Sequence, residues 1–469
     1  MFWTFGQQIA TQALGFFVSV ILARLLLPAE FGLIGMITVF VGIGYSLINT
    51  GFSQSLIRTQ NPDQEDYSTV FYFNLSGSVL IYWVLFFSAP LVAVFFSQPI
   101  LVSIIRVYCL TFIISAFSEV QLTKLTKEMN FKLQMVIAIP SIVISGLLGI
   151  LLAYRGYGVW SLVWMQVCQS FLTAVQLWVR TKWMPSFIFK SEKFKSHFKF
   201  GYKLTLSSLI ETVFSNIYAI IIGKFFLPAQ VGFYTRADSL QQLPANNIST
   251  ALNKVSYPLF ASIQNDGARL KTGFMQIMQM VVSIVAPVLI IMGVLAQPLF
   301  RFLFTEKWLP CVPYFQILCL TGILYPLHSY NLNILNVKGR SDLFFRLEII
   351  KKIGVVIMIL ITIRFGIIGL VWGQLISSIL GFFVNSYYSK MFLDYSAWQQ
   401  IRDIFPLIIC ALIAGIFVWG LDFLLKGAHD GLRLLAGMVA GATIYVLQIS
   451  LFKSEIFKQY KLILTNNYL

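Results

Sequence analysis

The stretch Arg24-Leu25-Leu26-Leu27-Pro28-Ala29-Glu30-Phe31-Gly32 returns 200 residues later as Lys224-Phe225-Phe226-Leu227-Pro228-Ala229-Gln230-Val231-Gly232. A basic residue, then Leu-Pro-Ala, then Gly recur at one offset. Each Pro follows an apolar run, where its fixed φ and missing N–H end one helix and force a tight turn before the next. Leu-Pro-Ala alone is an ordinary hairpin sequence. The matched apolar runs on both sides make internal duplication the better reading. The unit repeated holds six helices, an even number, so both copies enter a membrane in the same sense. Two parallel halves related by an axis along the membrane normal are expected.

Working outward, apolar stretches of roughly 20 residues, enough to cross a hydrocarbon core, fall near 2–26, 31–51, 70–97, 100–118, 132–153, 157–179, 201–226, 231–260, 274–300, 312–335, 343–363, 366–390, 404–425 and 432–452. The chain is 58% hydrophobic and 11% charged, more apolar surface than a soluble core hides, so lipid must cover it. The expected fold is all-α: a polytopic membrane protein with about 14 transmembrane helices. It divides into an N-terminal six-helix bundle (1–180), a cationic cytoplasmic linker (181–200), a C-terminal six-helix bundle (201–390), and two extra helices with a cytoplasmic tail (391–469).

The net charge of +16 forms no single patch, which excludes a nucleic-acid face. With a cytoplasmic N-terminus, 23 basic residues fall on the cytoplasmic side and 6 opposite, as the positive-inside rule requires. Both termini are therefore expected in the cytoplasm. No cleavable signal peptide is visible, and a short charged segment is expected ahead of the first helix. Five cysteines at long spacings and three scattered histidines (His197, His328, His429) imply no disulfide framework, metal or cofactor. There is no Gly-Lys-Ser/Thr phosphate loop, and the outward loops are too short for a catalytic domain. The chain reads as a transporter, not an enzyme.

Ionisable groups inside spans cost about 2.5–3.5 kcal/mol each on insertion scales and default to functional candidates. In the eighth stretch Ser239, Gln242, Asn246, Ser249 and Asn253 fall within about an 80° arc at helical spacing. Arg236, Thr250 and Lys254 extend that side. Such a face suits a hydrated cavity for sugar hydroxyls; the bland alternative is interhelical glue. The seventh stretch carries Ser208, Glu211, Thr212, Ser215 and Asn216, and the first carries Thr4, Gln8, Thr11 and Gln12. Glu211, near mid-membrane, is a candidate for a coupling proton or for a bridge to Lys254 or Arg236, and Asp238 offers the same choice. Arg24, Lys224 and Arg236 are candidates for a cationic phosphate or pyrophosphate site, against simple snorkelling.

Leu22 to Met36, Gly51 to Arg58, Gly156-Tyr157-Gly158-Val159-Trp160-Ser161-Leu162-Val163 and Gly232-Phe233-Tyr234-Thr235-Arg236-Ala237-Asp238 resemble the bacterial polysaccharide exporters. These are flippases of lipid-linked oligosaccharides within the multidrug/oligosaccharidyl-lipid/polysaccharide superfamily. The resemblance implies two six-helix bundles around a cavity open alternately to each side of the bacterial cytoplasmic (inner) membrane. It implies a polyprenyl-pyrophosphate-linked oligosaccharide (an O-antigen, capsule or exopolysaccharide repeat unit) as cargo, with polysaccharide polymerase machinery as a partner. On it, Arg24, Lys224 and Arg236 serve the pyrophosphate, and Gln242, Asn246 and Asn253 the glycan. The alternatives are a multidrug or small-cation exporter, which calls for an apolar and acidic cavity, and a membrane-embedded glycan polymerase, which calls for large outward loops.

Overall fold

The computed structural model describes residues 2–452, without the side chains of residues 2–5, 49–50, 250–255, 257–258, 341 and 452. All regular structure among them is helical. One compact unit runs to Gly232 and a second begins at Phe233.

The first unit holds α1 (Phe2–Leu25), α2 (Pro28–Arg58), α3 (Gln64–Phe96), α4 (Leu101–Tyr108), α5 (Leu110–Lys127), α6 (Phe131–Tyr154), α7 (Val159–Arg180), α8 (Ser191–Ser215), α9 (Ile217–Phe225) and the start of α10 (Pro228–Ser262). The second holds the rest of α10, then α11 (Gly267–Val294), α12 (Ala296–Phe304), a 3₁₀ turn (Glu306–Cys311), α13 (Val312–Val337), α14 (Ser341–Thr362), α15 (Gly366–Leu393), α16 (Ala397–Leu424) and α17 (Asp430–Phe452). The succession repeats: a long helix is followed by a short one at α3–α4 and again at α11–α12. The tight turns before α7 and α15 use glycines with positive φ, Gly156 and Gly158 in one and Gly366 in the other, a conformation that Cβ sterics deny most residues.

Helix occupies each of the fourteen apolar stretches, with three breaks inside them, the one in the ninth falling at Leu295 between α11 and α12. The fourth stretch is α4 and α5, separated at Cys109, and α5 runs on to Lys127. The seventh is α8 and α9, bent by 46° at Asn216. Eleven described segments are long and apolar enough to cross a membrane, or twelve with the bent pair. One of the eleven, Asp342–Leu393, contains both α14 and α15, folded back on each other. The amide-rich α10 is not among them. The chain is a multi-pass membrane protein.

Within the first unit α1 lies on α6, α6 on α7, α7 on α5 and α5 on α3. Leu22, Leu26, Ala153 and Leu162 form one apolar cluster, and Phe52, Leu56, Tyr67, Phe71 and Trp183 belong to another. In the second unit α11 packs on α13 and α16, and α16 on α17, around Ile291, Leu295, Val418 and Leu434. The opposite sides of these helices are bare aliphatic and aromatic surface. Phe87, Leu91 and Val94 of α3 are each more than 70% exposed, as side chains facing acyl tails must be.

Candidate functional site

Both copies of the repeated hairpin are built the same way. Pro28 stands at the first helical position of α2, where a missing N–H costs nothing. Two residues later the Glu30 carboxylate accepts from the Leu27 amide at 2.7 Å, and the Gln230 carbonyl accepts from the Leu227 amide at 3.3 Å. In both copies the acceptor is a side-chain oxygen, Oε1 in the case of Gln230, and it satisfies an N–H that the helix start leaves without a partner. The hairpins then meet through their glycines. A Cβ on Gly32 would lie 1.7 Å from the Pro228 carbonyl oxygen, and one on Gly232 would lie 2.0 Å from that of Pro28. Arg24 and Lys224 directly precede these turns, and both are exposed. The Lys224 ammonium donates to the Phe95 carbonyl at 2.7 Å and lies 4.7 Å from the Phe95 ring centre. Lys224 is thus a tethered cation at the rim of the first unit.

α2 runs along α8 in a seam of small residues. Gly51 and Gly201 touch backbone to backbone, with a Cβ on Gly51 falling 2.4 Å from the Gly201 carbonyl oxygen. Farther along, the Ser46 hydroxyl bonds with Thr212 at 3.0 Å and accepts from Ser208 at 3.1 Å. Ser215 and Asn216 bond back to the Thr212 carbonyl at 3.1 and 2.8 Å, where the helix bends. Four residues of the expected polar stripe therefore hold helices and a bend together. Glu211 is exposed on α8.

On α10 the Gln242 amide donates to the Asp238 carboxylate at 2.7 Å, and Asn246 donates to Gln242 at 3.3 Å. These three form a ladder one helical turn apart, with Gln242 and Ser239 exposed. Ser249, on the same arc, is buried. Asn253, with Thr250 and Lys254, lies outside the described side chains. Arg236 is half-buried in the second unit, its guanidinium 5.1 Å from the Phe304 ring centre and 5.3 Å from that of Trp308. A guanidinium held over two aromatic rings is attracted to their faces and loses freedom.

Comparison with known proteins gives this arrangement a family. Residues 21–313 match the model of the family described as Polysaccharide biosynthesis protein. The chain belongs to that family. It is 26% identical over 415 residues to the teichuronic acid biosynthesis protein TuaB of Bacillus subtilis (strain 168), covering 87% of this chain and 85% of that one. It is 23% identical over 472 residues to the succinoglycan biosynthesis transport protein ExoT of Rhizobium meliloti (strain 1021), covering 97% and 93%. Its fold is that of the lipid II flippase MurJ in an inward closed conformation, with a TM-score of 0.79 at 15% identity over 96% of this chain and 99% of the other.

Two groups stand beside the site residues named from the sequence. Glu119 of α5 accepts from the Ser53 hydroxyl of α2 at 3.0 Å. Its place at the end of an apolar stretch gave no periodic signal. At the highly basic end of the first unit, Asp63 caps α3 by accepting from the Asp66 amide at 2.8 Å. The Lys193 ammonium reaches Asp66 at 2.9 Å and Asp63 at 3.0 Å. That backbone N–H first, and the lysine after it, hold the Asp63 carboxyl down at about 2. The partners are about 130 residues apart in sequence, so only the fold brings them together.

Proposed function

We propose that this chain carries a polyprenyl-pyrophosphate-linked oligosaccharide across the bacterial cytoplasmic membrane by alternating access. The sugar headgroup passes through protein while the polyprenyl tail stays in lipid. The observation that carries this reading is the Asp238–Gln242–Asn246 ladder, amide and carboxylate groups bonded to one another along α10 with Gln242 exposed. Polar groups that bond each other along a helix and keep one face open meet sugar hydroxyls without stranding a partner. The names of two relatives, a teichuronic acid biosynthesis protein and a succinoglycan biosynthesis transport protein, support a glycan cargo.

In this reading Gln242, Asn246 and Asn253 contact the glycan, while Arg24, Lys224 and Arg236 serve the pyrophosphate. Arginine offers paired donors to a phosphate, and the tethered Lys224 offers a point charge. Glu211 and Asp238 are the carboxylates assigned to a coupling ion. Both termini lie in the cytoplasm, and the product passes to a polysaccharide polymerase on the far side.

The test is translocation in proteoliposomes of a fluorescent polyprenyl-pyrophosphate oligosaccharide, read by glycan accessibility on the far side. Wild type is expected to move it, and Lys224→Glu together with Arg236→Glu to lose at least about tenfold in rate, one lost charge-assisted contact being worth about 1.5–3 kcal/mol. Uptake of a cationic drug with no movement of any glycan lipid would sink the reading in favour of a multidrug exporter.

A further inference from the structure

His197 lies in the first two turns of α8, ahead of the apolar stretch that starts at 201, and it is 3% exposed. Its Nδ1 is 2.8 Å from the Ser55 hydroxyl of α2, and its Nε2 is 3.2 Å from Asp66 Oδ1 of α3. One ring thus joins three helices. The order Ser55–His197–Asp66 matches a nucleophile relay, but Ser55 is buried and no substrate reaches it, so hydrolysis is not the use of this group.

The surrounding charges are few and accounted for. On α3, Asp63 and Asp66 share Lys193, and Glu65 lies 3.6 Å from Lys190. On α2, Arg58 is stacked 4.3 Å from the Phe200 ring centre. On α5, which packs on both α2 and α3, Lys127 donates to the Leu56 carbonyl of α2 at 3.1 Å. Glu192, Lys195 and Lys199 fall on the other side of α8 at helical spacing. Asp63, Asp66 and Lys193 leave one net negative charge beside the imidazole, and Glu65 and Lys190 cancel. The neutral ring fits this pocket by donating from Nε2 to Asp66 and accepting at Nδ1 from Ser55, a tautomer set by its partners.

We infer that His197 is a proton-binding site that governs whether the first turns of α8 stay clasped to α2 and α3. The proton has two competing homes. In the clasped seam the ring is out of water, and that burial outweighs the adjacent Asp66 and lowers its pKa from 6.5. With α8 lifted, the imidazole is wet and takes a proton at its ordinary value. A group whose neutral form is favoured in the clasped state supports that state fully above 6.5. The support is lost as pH falls below it, by up to about tenfold per pH unit for one proton. Acid on this side of the membrane therefore unclasps α8. Gly51 and Gly201 make the change abrupt, since surfaces in backbone contact separate as a unit. The inference is independent of what the protein carries.

The test is hydrogen exchange of amides 191–201 in lipid nanodiscs from about pH 8 to about pH 5, spanning the imidazole range and corrected for the chemical pH dependence of exchange. Wild type is expected to lose protection below about pH 6.5, and His197→Gln, which keeps polarity but takes no proton, to give a flat profile. Lys193→Gln raises the negative charge beside the ring and is expected to weaken the acid loss, which a purely structural role would not do. It also serves if His197→Gln does not fold. An unchanged acid loss in the variants, or a flat wild-type profile, overturns the assignment.

Discussion

Asn331, Ser389 and Gln400 show what single side chains do in the second unit. Asn331 donates to Gln400 at 2.9 Å, Gln400 donates back at 3.0 Å, and Ser389 donates to Asn331 at 2.5 Å, all of them buried. A closed set of this kind costs little while complete and much when broken. Gln400→Leu removes two bonds from the Asn331 amide, which keeps the Leu327 carbonyl and the Ser389 hydroxyl, and is expected to destabilise the detergent-solubilised protein by about 1–3 kcal/mol, seen as a lower melting temperature. Asn331→Leu added to it should cost less than the two single losses summed, because the two bonds they share are already gone. An additive result would show that the two amides are independently satisfied. Spacing along α8 carries no sign of such pairings. Ser208 and Thr212 both bond to Ser46 of a helix about 160 residues away.

At the scale of elements, α3 and the α2–α8 seam are the most exposed to test. Asp63 is the N-cap of α3, with a reciprocal bond from its own amide to Asp66. Asp63→Ala is expected to cost about 0.5–2 kcal/mol, measured by thermal unfolding at neutral pH. The carboxyl is held below its ordinary 3.8, so its contribution is full above that value and lost as pH falls through about 2. The wild-type and Asp63→Ala curves should converge toward that acid end. Gly201→Leu drives a side chain into Gly51, whose backbone lies within 3.0 Å of even a Cβ there. Overpacking of this kind costs about 1–3 kcal/mol, and chemical cross-linking between α2 and α8 should fall with it. Retained stability together with retained cross-linking would mean the seam yields easily.

For the whole molecule, the distribution of charge predicts which side each loop faces. A single cysteine at Ser186 is expected to react with an impermeant maleimide only from the cytoplasmic side, and one at Tyr157 only from outside. The reverse pattern would overturn the orientation drawn from the 23 and 6 basic residues. Mean hydropathy alone recognises eleven or twelve spans. It joins α14 to α15, since a tight glycine turn leaves almost no polar gap between them. It passes over α10, whose amides replace the aliphatic side chains a span normally shows.

What the sequence by itself determined is what depends on local chemistry. Long apolar runs must be helices in lipid, since only a helix satisfies its own backbone there. The recurrence of Leu-Pro-Ala and Gly marked the two matching hairpins, because Pro at a helix start, a side chain reaching back to cap it and a residue lacking Cβ are each locally required. Arg24, Lys224, Arg236 and the α10 arc were legible because charge and amides stand out against an apolar background. Only the tertiary structure decided which of those groups are spent on neighbours. It joined Ser55, Asp66, Lys193 and His197, drawn from three helices, and it gave Ser46 to α8 and Ser53 to Glu119. Such pairings depend on which helix faces meet, and composition and periodicity within one helix carry no information about its neighbour.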